Sequence, residues 1–177
     1  MKKTIKLTLI ISAIVLSLSS CWEDDDNRHF RIPFINNADY SVYILEDSKE
    51  QYMMLPHFHD TILQSWYVDP SHSDTTNTKI RPKEIFEEAF FNMTCYEADF
   101  GYAYDTLLIF VFNADSLDTY GWDYVREHYM VQQRYDLSLE DLQSVYFRLS
   151  FPPNEAMKHI HMWPPYGTYD EDGHKKN

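Results

Sequence analysis

Two histidine pairs have the spacing that metal chemistry uses. His57 and His59 flank one residue and are followed by Asp60; His159 and His161 flank one residue near the C-terminus. On an extended strand alternate side chains share a face, so each pair can offer two imidazoles to one ion. Two pairs meeting would complete a zinc-type site, and a small metal-dependent hydrolase using His57, His59, His159 and His161 is the activity that would follow. Surface or loop histidines have the same spacing. That plainer reading is preferred, because a short motif specifies chemistry only in its structural context. Such pairs would also titrate near neutral pH without any metal.

Other chemistry is less defined. No G-x-S-x-G elbow supports a serine nucleophile. Cys95 lacks the electropositive neighbours that activate a thiolate; Glu97 and Asp99 beside it are acidic. Its aromatic neighbours Phe90, Phe91 and Tyr96 favour a buried, inert thiol. No pair of carboxylates can be singled out for glycoside hydrolysis among 28 acids. The chain has only four glycines, and no Gly-rich phosphate loop. Exposed aromatics are the better hint of binding, since Trp and Tyr dominate recognition surfaces. Trp66 and Trp122 sit in periodic segments and are assigned to the core. Trp163 and Tyr166 lie among prolines and are the candidate ligand-binding residues.

The first 26 residues concern address rather than activity. Lys2, Lys3 and Lys6 precede an apolar run, Ile5 to Leu18, that is shorter than the about 20 residues a spanning helix needs. The run ends Leu18-Ser19-Ser20-Cys21. This ending resembles the lipobox of bacterial lipoproteins. The resemblance implies that residues 1–20 are a discarded signal peptide and that Cys21 is the lipidated N-terminus. The run Glu23 to Asp26 resembles the acidic signal that sends lipoproteins of some Gram-negative bacteria to the outer face of the outer membrane. A solvated, extended tether is the simpler account of the same charges. The expected location is therefore the outer membrane, facing outward, with a periplasm-facing anchor as the alternative. Several buried acyl carbons at about 0.8 kcal/mol per CH₂ hold such a protein without a transmembrane helix.

Composition narrows the partners. The net charge is −13, and removing residues 1–20 takes away three lysines and no acids. A chain this acidic is not built to meet phosphate backbones, so nucleic acid is excluded as an expected partner. In the polar stretch SHSDTTNT, Asp74-Thr75-Thr76 resembles the O-glycosylation acceptor of the same bacteria, which marks Thr75; Asp60-Thr61-Ile62 also fits. Asn92-Met93-Thr94 matches the N-glycan sequon but is discounted in a bacterial setting.

The elements that must position these residues follow from periodicity. A hairpin is expected from strands at Phe30–Ile35 and Tyr40–Leu45 around the turn Asn36–Asp39. Thr61–Val68 reads as a strand, and residues 84–91 as a short helix. Asp105–Phe112 carries six consecutive apolar residues and belongs at the centre of a sheet, buried on both faces. Ser116–Met130 reads as one amphipathic helix, capped by Asp115 or Ser116, and Val131–Tyr135 as a strand. Ser138 to Asp141 has the capping-box pattern. Val145–Phe151 alternates as a half-buried strand, stopped by Pro152-Pro153. The segment from residue 164 is rich in Pro, Gly and charge and is expected to be disordered.

The expected fold is β-rich α+β: a single antiparallel sandwich or sheet of five to seven strands with two or three short helices. The expected layout is signal peptide 1–20, lipidated acidic tether 21–29, one domain 30–163, and tail 164–177. The segments FINNADYSVYI and LLIFVFNADSLDTYGWDYVREHYMVQQRYDLSLEDLQSVYFRLSFPP, with the lipobox, are similar to a group of small uncharacterised surface lipoproteins of Gram-negative bacteria. That resemblance implies no activity. The leading expectation is a non-enzymatic, surface-anchored protein that binds a glycan or a protein partner. The alternatives are the zinc hydrolase and a structural accessory subunit of an envelope complex.

Overall fold

The computed structural model describes residues 28–48, 69–71, 79–90, 92, 94–100 and 105–176. Along them run β1 (Phe34–Asn36), β2 (Val42–Ser48), β3 (Lys79–Ile80), β4 (Ile85–Phe86) and helix α1 (Tyr96–Asp99). Then come β5 (Leu107–Asn113), helices α2 (Ala114–Tyr120) and α3 (Trp122–Glu127), β6 (Gln133–Leu137) and helix α4 (Leu139–Ser144). The chain closes with β7 (Leu149–Phe151), a 3-10 turn (Glu155–Met157) and β8 (His161–Trp163). The fold is β-rich α+β. Five strands form one sheet in the order β3-β2-β5-β6-β8, all antiparallel; β4-β1-β7 form a second, in which β1 and β7 run parallel.

β5 sits at the centre of the larger sheet, and its apolar run is explained by burial on both faces. Leu107, Ile109 and Val111 point into the main core, shared with Phe34, Leu149 and Phe151 of the smaller sheet. Leu108, Phe110 and Phe112 point the other way, into a second core closed by Ala114 and Leu117 of α2 and Val125 of α3. Burying each of these side chains contributes about 1.5–3 kcal/mol, so β5 anchors both layers. The fully buried Tyr135 ties the sheets together, its hydroxyl donating to the Ser150 carbonyl at 2.7 Å.

Several expectations need correction. β1 and β2 are not a hairpin; they belong to different sheets. The buried Asn36 makes the corner: its amide donates to the carbonyls of Tyr40, Ile80 and Arg81, and its oxygen accepts from the Ala38 N–H. An Asn that satisfies four backbone groups redirects the chain instead of folding it back. Where a helix over 84–91 was expected, residues 84–90 form β4 and turns, with Lys83 and Phe90 in left-handed conformations. The expected helix over 116–130 is two helices, broken at Gly121 (φ +79°), and its cap is Asn113, whose side chain accepts from Ser116 N–H at 2.9 Å. The alternating burial is present over 145–149 but fails at Ser150, which is buried, and only Leu149–Phe151 is strand; Tyr146 and Phe147 are left-handed residues that end the α4 turn. The Ser138–Asp141 capping box is formed. The expected strand at residues 61–68 lies outside the described residues.

The segment after residue 163 is packed, not disordered. Tyr169 is buried, its hydroxyl donates to the Gln132 carbonyl at 2.5 Å, and Tyr169 bridges to Lys175. Composition misleads here because two or three aromatics suffice to dock a Pro- and Gly-rich segment once a cluster awaits them. Tyr169 meets Phe151 edge-on at 5.2 Å, and Tyr40 donates to the Gly173 carbonyl at 2.7 Å.

Candidate functional site

β1 and β7 run parallel in the register Phe34–Leu149 to Asn36–Phe151, so both strands leave the sheet at the same end. There the chain exits as Asn37 on one side and Pro152-Pro153 on the other, since proline cannot continue a ladder. Residues 164–176 fold back across that end, and between them lies an open groove of about 610 Å³.

The groove walls are polar and one face is aromatic. Asn154 accepts from the Ala156 N–H at 2.9 Å, capping the 3-10 turn that presents Glu155. The Glu155 carboxylate accepts from Lys158 Nζ at 2.7 Å and from the Tyr166 hydroxyl at 2.8 Å. The Lys158 ammonium, then the Tyr166 hydroxyl, hold this carboxyl below the usual range; the same bond to Glu155 raises the Tyr166 phenol. Tyr166 remains 38% exposed. Across the groove Lys83 Nζ reaches Asp172 Oδ1 at 2.7 Å and the Asn37 carbonyl at 2.5 Å. Asp170 turns the segment by accepting the backbone N–H groups of His174 and Asp172, which lower its carboxyl. Exposed pairs of this kind are worth about 0–1 kcal/mol each, so a ligand can replace them at little cost.

Behind this wall stands an aromatic clasp, with Tyr40 half-buried and Tyr169 buried. Gln132 Nε2 donates to the Tyr40 hydroxyl at 2.9 Å. Burial pushes the Tyr40 phenol up to about 12, and raises Tyr169 as well. The tail wall of the groove is thus built on half-buried phenol hydroxyls, each with a partner. Sequence reasoning missed Tyr40, Tyr169 and Gly173; the available signal was the tyrosine recurring at positions 166 and 169 in a segment otherwise suited to disorder.

The histidines are partly placed. His57 and His59 lie outside the described residues. His159 and His161 take different partners: His159 Nε2 lies 2.8 Å from Ser144 Oγ, and His161 Nδ1 lies 3.1 Å from Asp136 Oδ2. Among the described residues no group of three or more His, Cys, Asp or Glu side chains is arranged to hold a metal. Ser144, His159 and Asp141 do come together. Asp141 Oδ1, however, lies 3.8 Å from the same Nε2 that faces Ser144, while a catalytic triad needs the carboxylate on the other ring nitrogen. Asp141 is also committed to the capping box, and Ser144 Oγ donates to the Asp141 carbonyl at 2.6 Å. Asp136 is held by a buried bidentate pair with Arg134, at 2.6 and 2.7 Å, and His161 closes over it from the edge strand β8. The alternation Arg134-x-Asp136 on a strand was the sequence signal for that pair.

Trp163 is 43% exposed but is not a wall of the groove; its ring leans on Tyr129 at 5.5 Å. Cys95 is free and only partly buried, directly before α1, instead of a fully buried thiol. The Asn92 amide is engaged by the Asp99 carboxylate. Cys21 and Thr75 lie outside the described residues. No described helix is long and apolar enough to cross a membrane. Compared with family models, curated proteins and solved structures, the chain matches none.

Proposed function

We propose that this protein is a lipid-anchored binding protein of the outer membrane, displayed outward through Cys21, and that it holds a glycan in the groove beside Tyr166. The observation that carries the reading is the groove itself. An exposed phenol ring is fixed by Glu155 at the rim, and alternating carboxylate and ammonium groups line an open space. Sugar rings offer apolar C–H faces for such a ring and hydroxyls for such pairs. A binding role also suits Glu155, whose carboxyl is held below the usual range and so stays ionised, where a general acid must keep its proton near neutral pH.

The test is a glycan array probed with the full mature protein, followed by calorimetry on the best hit. Y166A should weaken that hit roughly tenfold or more, the usual weight of a recognition aromatic, while leaving the melting temperature unchanged. Binding that survives Y166A together with E155Q sinks the groove assignment. An array without hits, with a protein captured through the same groove residues, would replace the glycan by a protein partner.

A further inference from the structure

The opposite end of β1 and β7 carries a second feature. There Arg28, Phe30, Arg31, Tyr146 and Arg148 surround a shallow depression of about 550 Å³. Tyr146 is 88% exposed and Phe30 41%. Tyr146 also stands in a left-handed conformation (φ 53°), where Asn or Gly would be cheaper and a ring is uncommon. Arg31 pairs with Glu88 at 2.5 Å, and Glu87 also borders the depression. Arg28 and Arg148 have no carboxylate partner among the described residues, in a chain of net charge −13.

This patch lies where the tether enters the fold. His29 is pinned there by Glu97, through its N–H at 3.0 Å and its ring at 2.6 Å, and its ring stacks on Phe147 at 3.8 Å. Arg28 is seven residues beyond Cys21, so a fully extended tether keeps the patch within about 25 Å of the lipidated residue.

We infer that the face formed by Arg28, Phe30, Tyr146 and Arg148 docks on the membrane that holds the lipid anchor, with the arginines on lipid phosphates and the rings in the headgroup layer. Tyr rings partition to that layer, and arginine reaches phosphate with bidentate geometry. Acidic groups more than about 10 Å from the surface are screened at physiological salt; Glu23 to Asp26, between Cys21 and Arg28, and Glu87, at the depression, oppose the contact and set the attraction the arginines must exceed. Docking at this end leaves the groove at the far end facing away from the membrane. The inference rests on the lipid-anchor reading.

The experiment uses the lipidated full mature chain, labelled with 3-fluorotyrosine, in vesicles carrying nitroxide-headgroup lipid. One set is phosphatidylcholine; the other is equal parts phosphatidylcholine and phosphatidylglycerol. The Tyr146 fluorine signal is assigned by its loss in Y146N, a change the left-handed backbone accepts. The expected result is broadening of Tyr146 beyond that of Tyr166, greater on the anionic vesicles, with the bound-face population reduced about fivefold for each of R28Q and R148Q. Equal broadening of Tyr146 in wild type and R28Q/R148Q overturns the inference. So does a Tyr146 shift produced fully by inorganic phosphate without vesicles. Protein that floats with both vesicles but shows no Tyr146 broadening refutes the docking face alone; protein that floats with neither refutes the anchor and this inference with it.

Discussion

Gly173 is the position at which one added carbon should release the C-terminal wall of the groove. A Cβ there would stand 2.8 Å from Ala38 Cβ, 3.0 Å from the Tyr40 hydroxyl and 3.2 Å from Tyr40 Cε1, on a backbone with φ +87°. Ala38 is fully buried and short, so its Cβ has no flexible end that could give way. Left-handed backbone costs an L-residue about 1–2 kcal/mol. Moving the segment to relieve the overlap breaks the Tyr40 hydroxyl–Gly173 carbonyl bond and the Asp39 N–H to Asp172 carbonyl bond, at about 0.5–1.5 kcal/mol each. G173A should therefore cost about 2–5 kcal/mol at the clasp. At 2–4 °C per kcal/mol, that is a loss of roughly 4–20 °C in Tm if the clasp unfolds with the rest. A smaller loss is expected if residues 165–176 peel away alone, and hydrogen exchange separates the two cases. The amide of Asp39, which donates across the clasp to the Asp172 carbonyl, and those of His174 and Lys176, which donate within the C-terminal segment to Asp170 and Thr168, should exchange faster before any amide of β5 does. A38G/G173A removes the tightest contact and should return part of the protection, leaving the backbone cost. If G173A melts with wild type and those amides stay protected, the reasoning that the glycine locks the tail is wrong.

Three further outcomes follow from the same contacts. D136N removes the carboxylate that pairs at both oxygens with the buried Arg134 guanidinium and should cost about 3–5 kcal/mol in urea denaturation, most of it recovered in R134M/D136L; a loss under about 1 kcal/mol would contradict the burial argument. Burial raises the Tyr40 phenol from 10.0 to about 12 and raises Tyr135 and Tyr169 too. Folded pKa values above the unfolded one mean that their stability contribution is complete below pH 10 and is lost as pH rises through 12. Phenolate absorbance should thus show an exposed class titrating first and a delayed class that appears together with unfolding. S138A removes the reciprocal cap of α4 and should lower stability by about 0.5–2 kcal/mol in the same urea assay, without changing ligand binding.

What could be read in advance was what short-range pattern controls. The unbroken run Leu107–Phe112 placed β5 at the sheet centre because only a strand covered on both faces tolerates apolar residues at every position. The Ser138–Asp141 cap was legible because all its partners lie within four residues. The errors share a cause of the opposite kind. Asn36 looked like a hairpin turn, yet its amide is satisfied by Ile80 and Arg81, more than forty positions away. Tyr169 looked like part of a solvated tail, yet its partner is the Gln132 carbonyl. Over 145–149 the in–out alternation was correct as burial and wrong as strand, because a helix end followed by two left-handed residues also turns alternate side chains inward; it failed at Ser150, which is buried within β7.

The candidate site was legible only in part for the same reason. Tyr166 could be singled out as an exposed aromatic, but the groove needs β1 and β7 to end together, and that parallel pairing joins residues more than a hundred positions apart. The parallel pair also gives the molecule a direction. Arg148 and Pro33 lie at its start; Asn37 and Pro152 lie at its end. A tether entering at the start therefore separates the face nearest the lipid from the groove by the length of the small sheet, about 10 Å of strand plus the segments that cap it. An antiparallel β1–β7 pair would have put Arg148 at the groove end and merged the arginines with the Tyr166 wall. One strand pairing thus decides whether the aromatic groove and the arginine face act as one surface or two.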